Sequence, residues 1–405
     1  MFRLARVVSL VACLVLTNAS SALAGYVGVA WDPVTGTQVD RYVLMYGTSA
    51  SNLTTSVDVG LATTWFVTNL NESSTYYFAV KACNVAGCSG ASSVVSGSAR
   101  GLTPMMTTDF SGDNRSELAV WRPGTGTWFT RSADPNAGPG FQVNWGSGAV
   151  NDKPAIGDYD GDGKADPAVF RPGTGTWFIL LSSTNYSVFT KQFGSGALGD
   201  IPVAADYDGD GRTDIAVYRS TTGSWFILTS SSGFRSSFSV SWGSPRLKDV
   251  PVPADYDGDN RADIAVWRPG TGQWVIKTSS SSFTRSIVYA WGAGSLGDIP
   301  VPADYDGDGR ADIAVWRPGA QGAWYIKTSR SNYVSYFTKA WGSSSVGDRP
   351  VLGDYDGDGE ADISVWRPST GTWFILKSSS GYSSYIAINW GSGSVNDIPI
   401  SARIR

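Results

Sequence analysis

An acidic nine-residue segment returns six times along this chain, at steps of 49, 48, 49, 49 and 50 residues, and so regular a period marks one structural unit repeated against its own copies. The segments are DFSGDNRSE from Asp109, DYDGDGKAD from Asp158, DYDGDGRTD from Asp206, DYDGDNRAD from Asp255, DYDGDGRAD from Asp304 and DYDGDGEAD from Asp354. The residues around them repeat as well. In one unit Asp298 and Pro300 open a short strand at 301–303, the acidic segment follows, and an apolar run spans 311–318. A turn then leads to a third strand at 323–327, and a Ser-rich turn leads to a fourth at 336–342. Four short strands per repeat without helical periodicity are the signature of a propeller blade.

One sheet of this length cannot hide its own aromatic side chains, so the units must stack with both faces covered. Fifteen of the 17 Trp residues fall in the repeats, at the end of the second strand, the start of the third and the end of the fourth, which marks them as core. The predicted architecture is therefore all-β: a propeller of about six four-stranded blades over residues 105–401, with seven blades as the alternative. The tail 396–401 copies the opening strand of a unit. It is predicted to pair against the first blade, whose own opening strand at 105–108 fits the pattern poorly.

Each acidic segment reads as a calcium loop, because carboxylates at positions 1, 3, 5 and 9 and the carbonyl of position 7 wrap hard oxygen ligands around one cation. Position 6 must take a left-handed conformation, which Gly and Asn tolerate. The expected ligand sets are Asp158, Asp160, Asp162, Lys164 and Asp166; Asp206, Asp208, Asp210, Arg212 and Asp214; Asp255, Asp257, Asp259, Arg261 and Asp263; Asp304, Asp306, Asp308, Arg310 and Asp312; and Asp354, Asp356, Asp358, Glu360 and Asp362. The first loop supplies Asp109, Ser111, Asp113, Arg115 and Glu117, and is expected to bind most weakly because Ser111 replaces a carboxylate. At positions 1, 3, 5 and 9 these loops hold 23 of the 35 acidic residues. Crowded carboxylates repel one another unless a cation neutralises them. About one Ca²⁺ per blade is the cofactor expectation.

Residues 1–24 read as a signal peptide, with Arg3 and Arg6, an apolar stretch at 7–16, and Ala22-Leu23-Ala24 before Gly25. Secretion or cell-surface display is the expected location. No later stretch is long and apolar enough to span a membrane as a helix. Cys83 and Cys88 are separated by a hairpin-length loop, where a disulfide or two free thiols are both open; export favours the disulfide.

Residues 25–102 carry no acidic loop and read as seven short strands, at 26–31, 40–46, 54–59, 64–70, 75–83 and 92–98 with one segment ambiguous. Trp31 followed by Asp32-Pro33, Tyr42 and Tyr46 ahead of Gly47-Thr48-Ser49, and Leu70 six residues before Tyr76 resemble a fibronectin type III domain. That resemblance implies a β-sandwich with a tyrosine corner at Tyr76. Residues 105–401 resemble the VCBS and FG-GAP-like repeat family, whose blades carry DxDxDGxxD calcium loops between their first two strands. The Phe-Gly and Gly-Ala-Pro segments do not recur here, and Trp-Arg-Pro-Gly-Thr-Gly-Thr-Trp stands at the second hairpin instead.

The chain contains no His, which excludes His-based triads and His-ligated metal catalysis. Among the acids of the repeat region that are not at loop positions 1, 3, 5 and 9, only Asp134 and Glu360, the latter at position 7 of its loop, break the repeating placement, so no differentiated catalytic pair stands out. Basic residues form no cluster of the kind nucleic acid requires. The expected function is non-catalytic binding or adhesion toward an extracellular glycan or protein. A polysaccharide-active enzyme is the less favoured alternative. The candidate glycan surface is the set of hairpins pairing Trp121-Arg122 with Trp128, Trp267-Arg268 with Trp274, Trp316-Arg317 with Trp324, and Trp366-Arg367 with Trp373, which competes with plain blade packing at the same residues.

Overall fold

The structure is a computed structural model that describes residues 11–12, 24–31, 34, 39–61, 64–71, 74–85, 87–98, 100–101, 108–135, 137 and 140–401. It falls into two compact units, Met1–Leu102 and Thr103–Arg405. Among the described residues there is no α-helix, only strands and nine single 3-10 turns. The expected leader lies outside the described residues, except for Val11–Ala12, which pair with Ala30 and Val29, and Ala24, which pairs with Asn71.

In the N-terminal unit, Ala24–Ala30 and Thr64–Asn71 form one sheet, and Arg41–Gly47, Thr55–Asp58, Thr75–Asn84 and Val95–Ser98 lie in the other. Alternate residues of both sheets meet in a single core of Val27, Val29, Trp31, Tyr42, Leu44, Val67, Leu70, Phe78 and Val80. Trp31 and Tyr42 pack edge to face at 5.8 Å. The Tyr76 hydroxyl accepts the Asn71 N–H at 3.0 Å, the corner that its spacing from Leu70 implied. Cys83 and Cys88 face each other across a hairpin and are joined by a disulfide.

The second unit is a ring of six four-stranded antiparallel sheets. Five are built from consecutive strands. The first blade takes Leu118–Arg122, Thr127–Arg131 and Gln142–Asn144 from its own repeat and its remaining strand, Ile398–Ile400, from the tail. Ala119 pairs with Ile400 and Trp121 with Ile398, so the tail completes the first blade and the count is six. The expected opening strand at 105–108 lies outside the described residues apart from Thr108. In the other blades pairing starts earlier than position 301 and its equivalents: Ile299–Pro300 is the strand, and Ala303 makes a single bridge to Asp312.

Burial falls outward along each blade. The second strand, Ile313–Arg317 for example, is buried on both faces up to its final Arg, the third alternates, and the fourth alternates between half-buried and exposed. The reason is that neighbouring blades share their cores. Ala314, Trp316, Trp324 and Ile326 pack on Leu352, Ile363 and Val365 of the next blade, while Ile313 and Val315 pack on Trp267, Trp274 and Ile276 of the preceding one. Leu118 and Val120 meet Val351, Tyr355, Trp366 and Trp373, which closes the sixth blade onto the first. Each such aromatic, wholly buried, contributes roughly 2–3 kcal/mol.

Two polar devices reinforce the blades. The Asp that precedes each opening Pro forms a two-pronged ion pair with the Arg ending the second strand, as in Asp152 with Arg171 at 2.8 Å and Asp249 with Arg268 at 2.9 Å. Its second oxygen also accepts a backbone N–H, Ser147 N or Ser244 N at 2.9 Å. The sixth pair runs from Asp397 back to Arg122 at 2.7 Å and so locks the tail. The fourth-strand Trp residues are half-buried, and their indole N–H groups donate to the neighbouring blade: Trp145 to Phe178 O, Trp242 to Val275 O, Trp291 to Tyr325 O, Trp341 to Phe374 O and Trp390 to Phe129 O. The tight second hairpin depends on glycine: at Gly175 (φ 65°) a Cβ would lie 2.0 Å from Gly194 O.

This packing corrects the expected glycan surface. Trp121, Trp128, Trp267, Trp274, Trp316, Trp324, Trp366 and Trp373 are all buried, so no sugar ring reaches them. The six arginines that end the second strands are held by the recurring Asp, and five of them stack on a third-strand ring, as Arg171 does 4.4 Å over Phe178. Conversely, the fourth-strand indoles, expected in the core, keep one part in solvent.

Candidate metal loops

Five acidic segments link the first and second strands of their blades, the one from Asp109 leads into Leu118–Arg122, and each folds around its own first carboxylate. Asp255 accepts the N–H groups of Gly258 (2.6 Å) and Asn260 (2.7 Å), and its counterparts do the same in the other loops. Positions 4 and 6 both take positive φ, 84° at Gly258 and 60° at Asn260, as the wrap requires. Position 9 ties the loop to its start and to the Ser turn after the third strand. Asp263 Oδ2 accepts the Tyr256 N–H (2.9 Å), and Asp263 Oδ1 accepts the N–H (2.6 Å) and hydroxyl (2.9 Å) of Ser279.

The turn serines were visible in the sequence only as a polar turn, yet they orient the ligands. Ser279 Oγ donates to Asp259 Oδ1 at 2.7 Å and Ser280 Oγ to Asp257 Oδ2 at 2.6 Å. Ser182, Ser230, Ser329 and Ser378 repeat the first contact, and Ser183, Ser231 and Ser379 the second. The signal that marked them was their constant distance, 16 or 17 residues, after position 9.

One oxygen in each full loop is left over. Oδ1 of Asp160, Asp208, Asp257, Asp306 and Asp356 is buried without a hydrogen-bond partner. These atoms belong to carboxylate groups whose ligand oxygens gather within 4.8 Å of one another, as in Asp158, Asp160 and Asp166 or Asp304, Asp306 and Asp308. A buried carboxylate oxygen facing other carboxylates is strongly unfavourable unless a cation completes the set. The donors are all hard oxygens, so the clusters can hold a hard metal ion. The position 7 carbonyls of Arg212, Arg261, Arg310 and Glu360 lie 3.3–3.5 Å from the same turn hydroxyls, alongside the clusters.

Electrostatics agree with this need. Burial, with neighbouring carboxylates adding to it, pushes Asp263 up to about 7 and Asp312 up to about 8. Burial likewise raises Asp158, Asp206 and Asp354 to about 7, against the pull of backbone N–H groups that favour the charged form. Arg212, Arg261 and Arg310 pair with the position 5 carboxylate of their own loops at 2.6–2.7 Å. Glu360 occupies that place in the sixth loop, where burial and the Asp358 charge push its carboxyl above the usual range, and Arg330, in the turn-serine place of the fifth, partly opposes them.

The loops are also joined to one another. The position 8 N–H of each donates to the position 1 carbonyl of the loop before it: Ala165 to Asp109, Thr213 to Asp158, Ala262 to Asp206, Ala311 to Asp255, Ala361 to Asp304, and Ser116 to Asp354, all at 2.6–2.7 Å. The position 7 side chain covers the position 4 glycine of the same neighbour. A Cβ at Gly161 would stand 2.8 Å from Arg212 Cγ, and one at Gly357 2.8 Å from Arg115 Cγ. Six loops thus make one closed circuit.

Comparison with known proteins agrees with both units. The model of the FG-GAP-like repeat matches residues 158–217 and 255–315, and that of the fibronectin type III domain matches residues 17–98. The chain carries FG-GAP-like repeats and an N-terminal fibronectin type III domain. Among curated proteins none matches. Among solved structures, the third fibronectin III domain of human KIAA0343 protein is similar over 22% of this chain and 84% of its own, at 18% identity and a TM-score of 0.16. A protein from Lactobacillus plantarum is similar over 87% of this chain and 95% of its own, at 8% identity and a TM-score of 0.39. FG-GAP-like and fibronectin type III domains are typically non-catalytic and common in extracellular proteins, which suggests binding or adhesion. No helix among the described residues is long and apolar enough to cross a membrane, a statement that leaves strands aside.

Proposed function

We propose that this chain is a secreted, calcium-stabilised binding or adhesion protein with no catalytic role, whose FG-GAP-like ring is a rigid scaffold locked by ions. The observation that carries the reading is the same buried, unpartnered Oδ1 at position 3 of five successive loops. Calcium suits the site because it accepts six to eight oxygens in flexible geometry, whereas magnesium demands a tighter octahedron and keeps its waters. The leader-like residues 1–24 and the Cys83–Cys88 disulfide fit an exported, oxidising setting.

A glycan is the ligand class the surface supports best. The half-buried fourth-strand indoles line the outer rim, where Trp291 packs on Tyr336 and Trp341 on Tyr385, both at 5.1 Å. Tyr336 and Tyr385 are 61% and 58% exposed, which offers aromatic faces for sugar stacking that the buried hairpin indoles lack. A glycan array probed with calcium and with chelator tests this. Binding that needs calcium and is lost in Trp341→Ala and Tyr385→Ala at unchanged metal content supports it. A calcium-loaded protein that ignores glycans and captures a protein partner overturns the glycan class. Absence of bound metal after calcium dialysis overturns the calcium reading.

A further inference from the structure

We propose that the first loop is a metal-independent clasp, held shut by the Ser111 hydroxyl, so that the ring binds five calcium ions rather than six. This rests on calcium as the ion of the other five loops. Closeness of carboxylates does not separate the first loop from the rest, since Asp109, Asp113 and Glu117 also gather within 4.8 Å. The bonding inside does. Ser111 Oγ donates to Glu117 Oε1 at 2.8 Å and lies 3.5 Å from Asp109 Oδ1. A hydroxyl that coordinates a cation turns its lone pairs inward and its proton away; here the proton points at a would-be ligand. Among the described residues, no side-chain oxygen of this loop is buried without a hydrogen bond, in contrast to the other five.

Three changes occur together in this one blade. Position 3 loses its carboxylate, and affinity falls with the number of charged ligands. Position 9 gains a methylene, and Glu117 accepts from Ser111 (2.8 Å) while keeping the position 2 N–H, here Phe110 (2.5 Å), that Asp accepts in the other loops. The turn serine that holds position 9 elsewhere is replaced by buried Ala133, and the next residue is Asp134 where blade two has Ser183. The Asp134 carboxylate lies 3.9 Å from Arg115 Nη1 and is not among the gathered carboxylates Asp109, Asp113 and Glu117. The clasp sits where the ring closes. Ser116 N donates to Asp354 O at 2.7 Å, and Ser116 Oγ accepts the Asp354 N–H at 3.1 Å, a reciprocal pair that stands without an ion.

Equilibrium dialysis of the full chain against radiolabelled calcium, with native mass spectrometry, counts the ions. Five are expected for the natural sequence, four for Asp160→Asn, and six for the combined variant Ser111→Asp, Glu117→Asp, Ala133→Ser. Ser111→Ala is expected to keep five and lose thermal stability. Six ions in the natural chain overturn the proposal, as does an unchanged count in a combined variant whose circular dichroism is native. If the combined variant does not fold, the count in the natural chain still decides. A count of zero overturns the calcium reading of every loop, and this inference with it, and is distinct from a count of six.

Discussion

The two units are both antiparallel β, yet they hide their strands in different ways. The N-terminal sandwich gathers one core between two sheets and adds a disulfide at one edge. The ring has no central core of its own: its apolar residues are divided among six clusters, each shared by two blades, and a circuit of acidic loops ties the blades together. A sandwich is stable when its two faces meet. A blade is stable only while both neighbours stay, so the ring leans on whatever holds neighbours in register.

Ion removal gives the largest separation between them. An ion held at a thousand times its dissociation constant contributes about 4 kcal/mol. Chelation is expected to lower the ring transition by at least ~10 °C, at ~2–4 °C for each kcal/mol, and to leave the sandwich transition in place. Differential scanning calorimetry resolves the two, and a ring transition that ignores the chelator breaks the comparison.

Acidity comes next. In the metal-free ring, burial raises Asp166 and Asp214 to about 7 and Asp304 and Asp312 to about 8, from an ordinary value of 3.8. The folded state therefore holds more protons than the unfolded one between these values. Its stabilisation is complete below about pH 4 and is lost as pH rises through about 7–8. Calcium reverses the trend, because it displaces those protons and binds more tightly as pH climbs through the same window. Urea unfolding across that range, with and without calcium, should give slopes of opposite sign.

Charge deletion is the third test. Asp249→Ala strands Arg268 and the Ser244 N–H and is expected to cost the ring about 3–5 kcal/mol. The exposed pair Arg41–Asp58 in the sandwich is the contrast, where Asp58→Ala costs about 0–1 kcal/mol. Below the Asp249→Ala cost, Cys83→Ser removes a short loop closure worth about 2 kcal/mol and moves only the sandwich transition. The smallest change expected in the ring is Trp242→Phe, which forfeits the bond to Val275 O, about 1 kcal/mol. Chemical denaturation followed separately for each unit reads all of these.

Period, strand content and loop residues were legible because they are written as local pattern, and even the tail at 396–401 announced its place by copying the start of a unit. The tyrosine corner was legible for the same reason, a fixed spacing within one turn. Long-range pairing was not. Asp and Arg each recur once per blade, but nothing in a linear pattern says that Asp152 reaches Arg171 or that Asp397 reaches Arg122. The hairpin indoles and the rim indoles are the same residue type at regular spacing, and only the inward or outward place of their strands decides which is buried. The turn serines were hidden by composition: in a Ser-rich chain, a pair that aims carboxylates resembles any polar turn.

The seam between Ile398–Ile400 and Leu118–Arg122 sets the order in which the molecule can be finished. Nearly the whole ring lies between those two segments, so their contact carries the largest closure entropy in the domain and forms last. Until it does, the Leu118–Arg122 strand offers a bare edge to any second copy, and Arg122 waits for a partner nearly three hundred positions downstream. Ile398–Ile400 therefore act as a latch. Losing them to a protease would turn a shut circle into an open, self-adhesive arc.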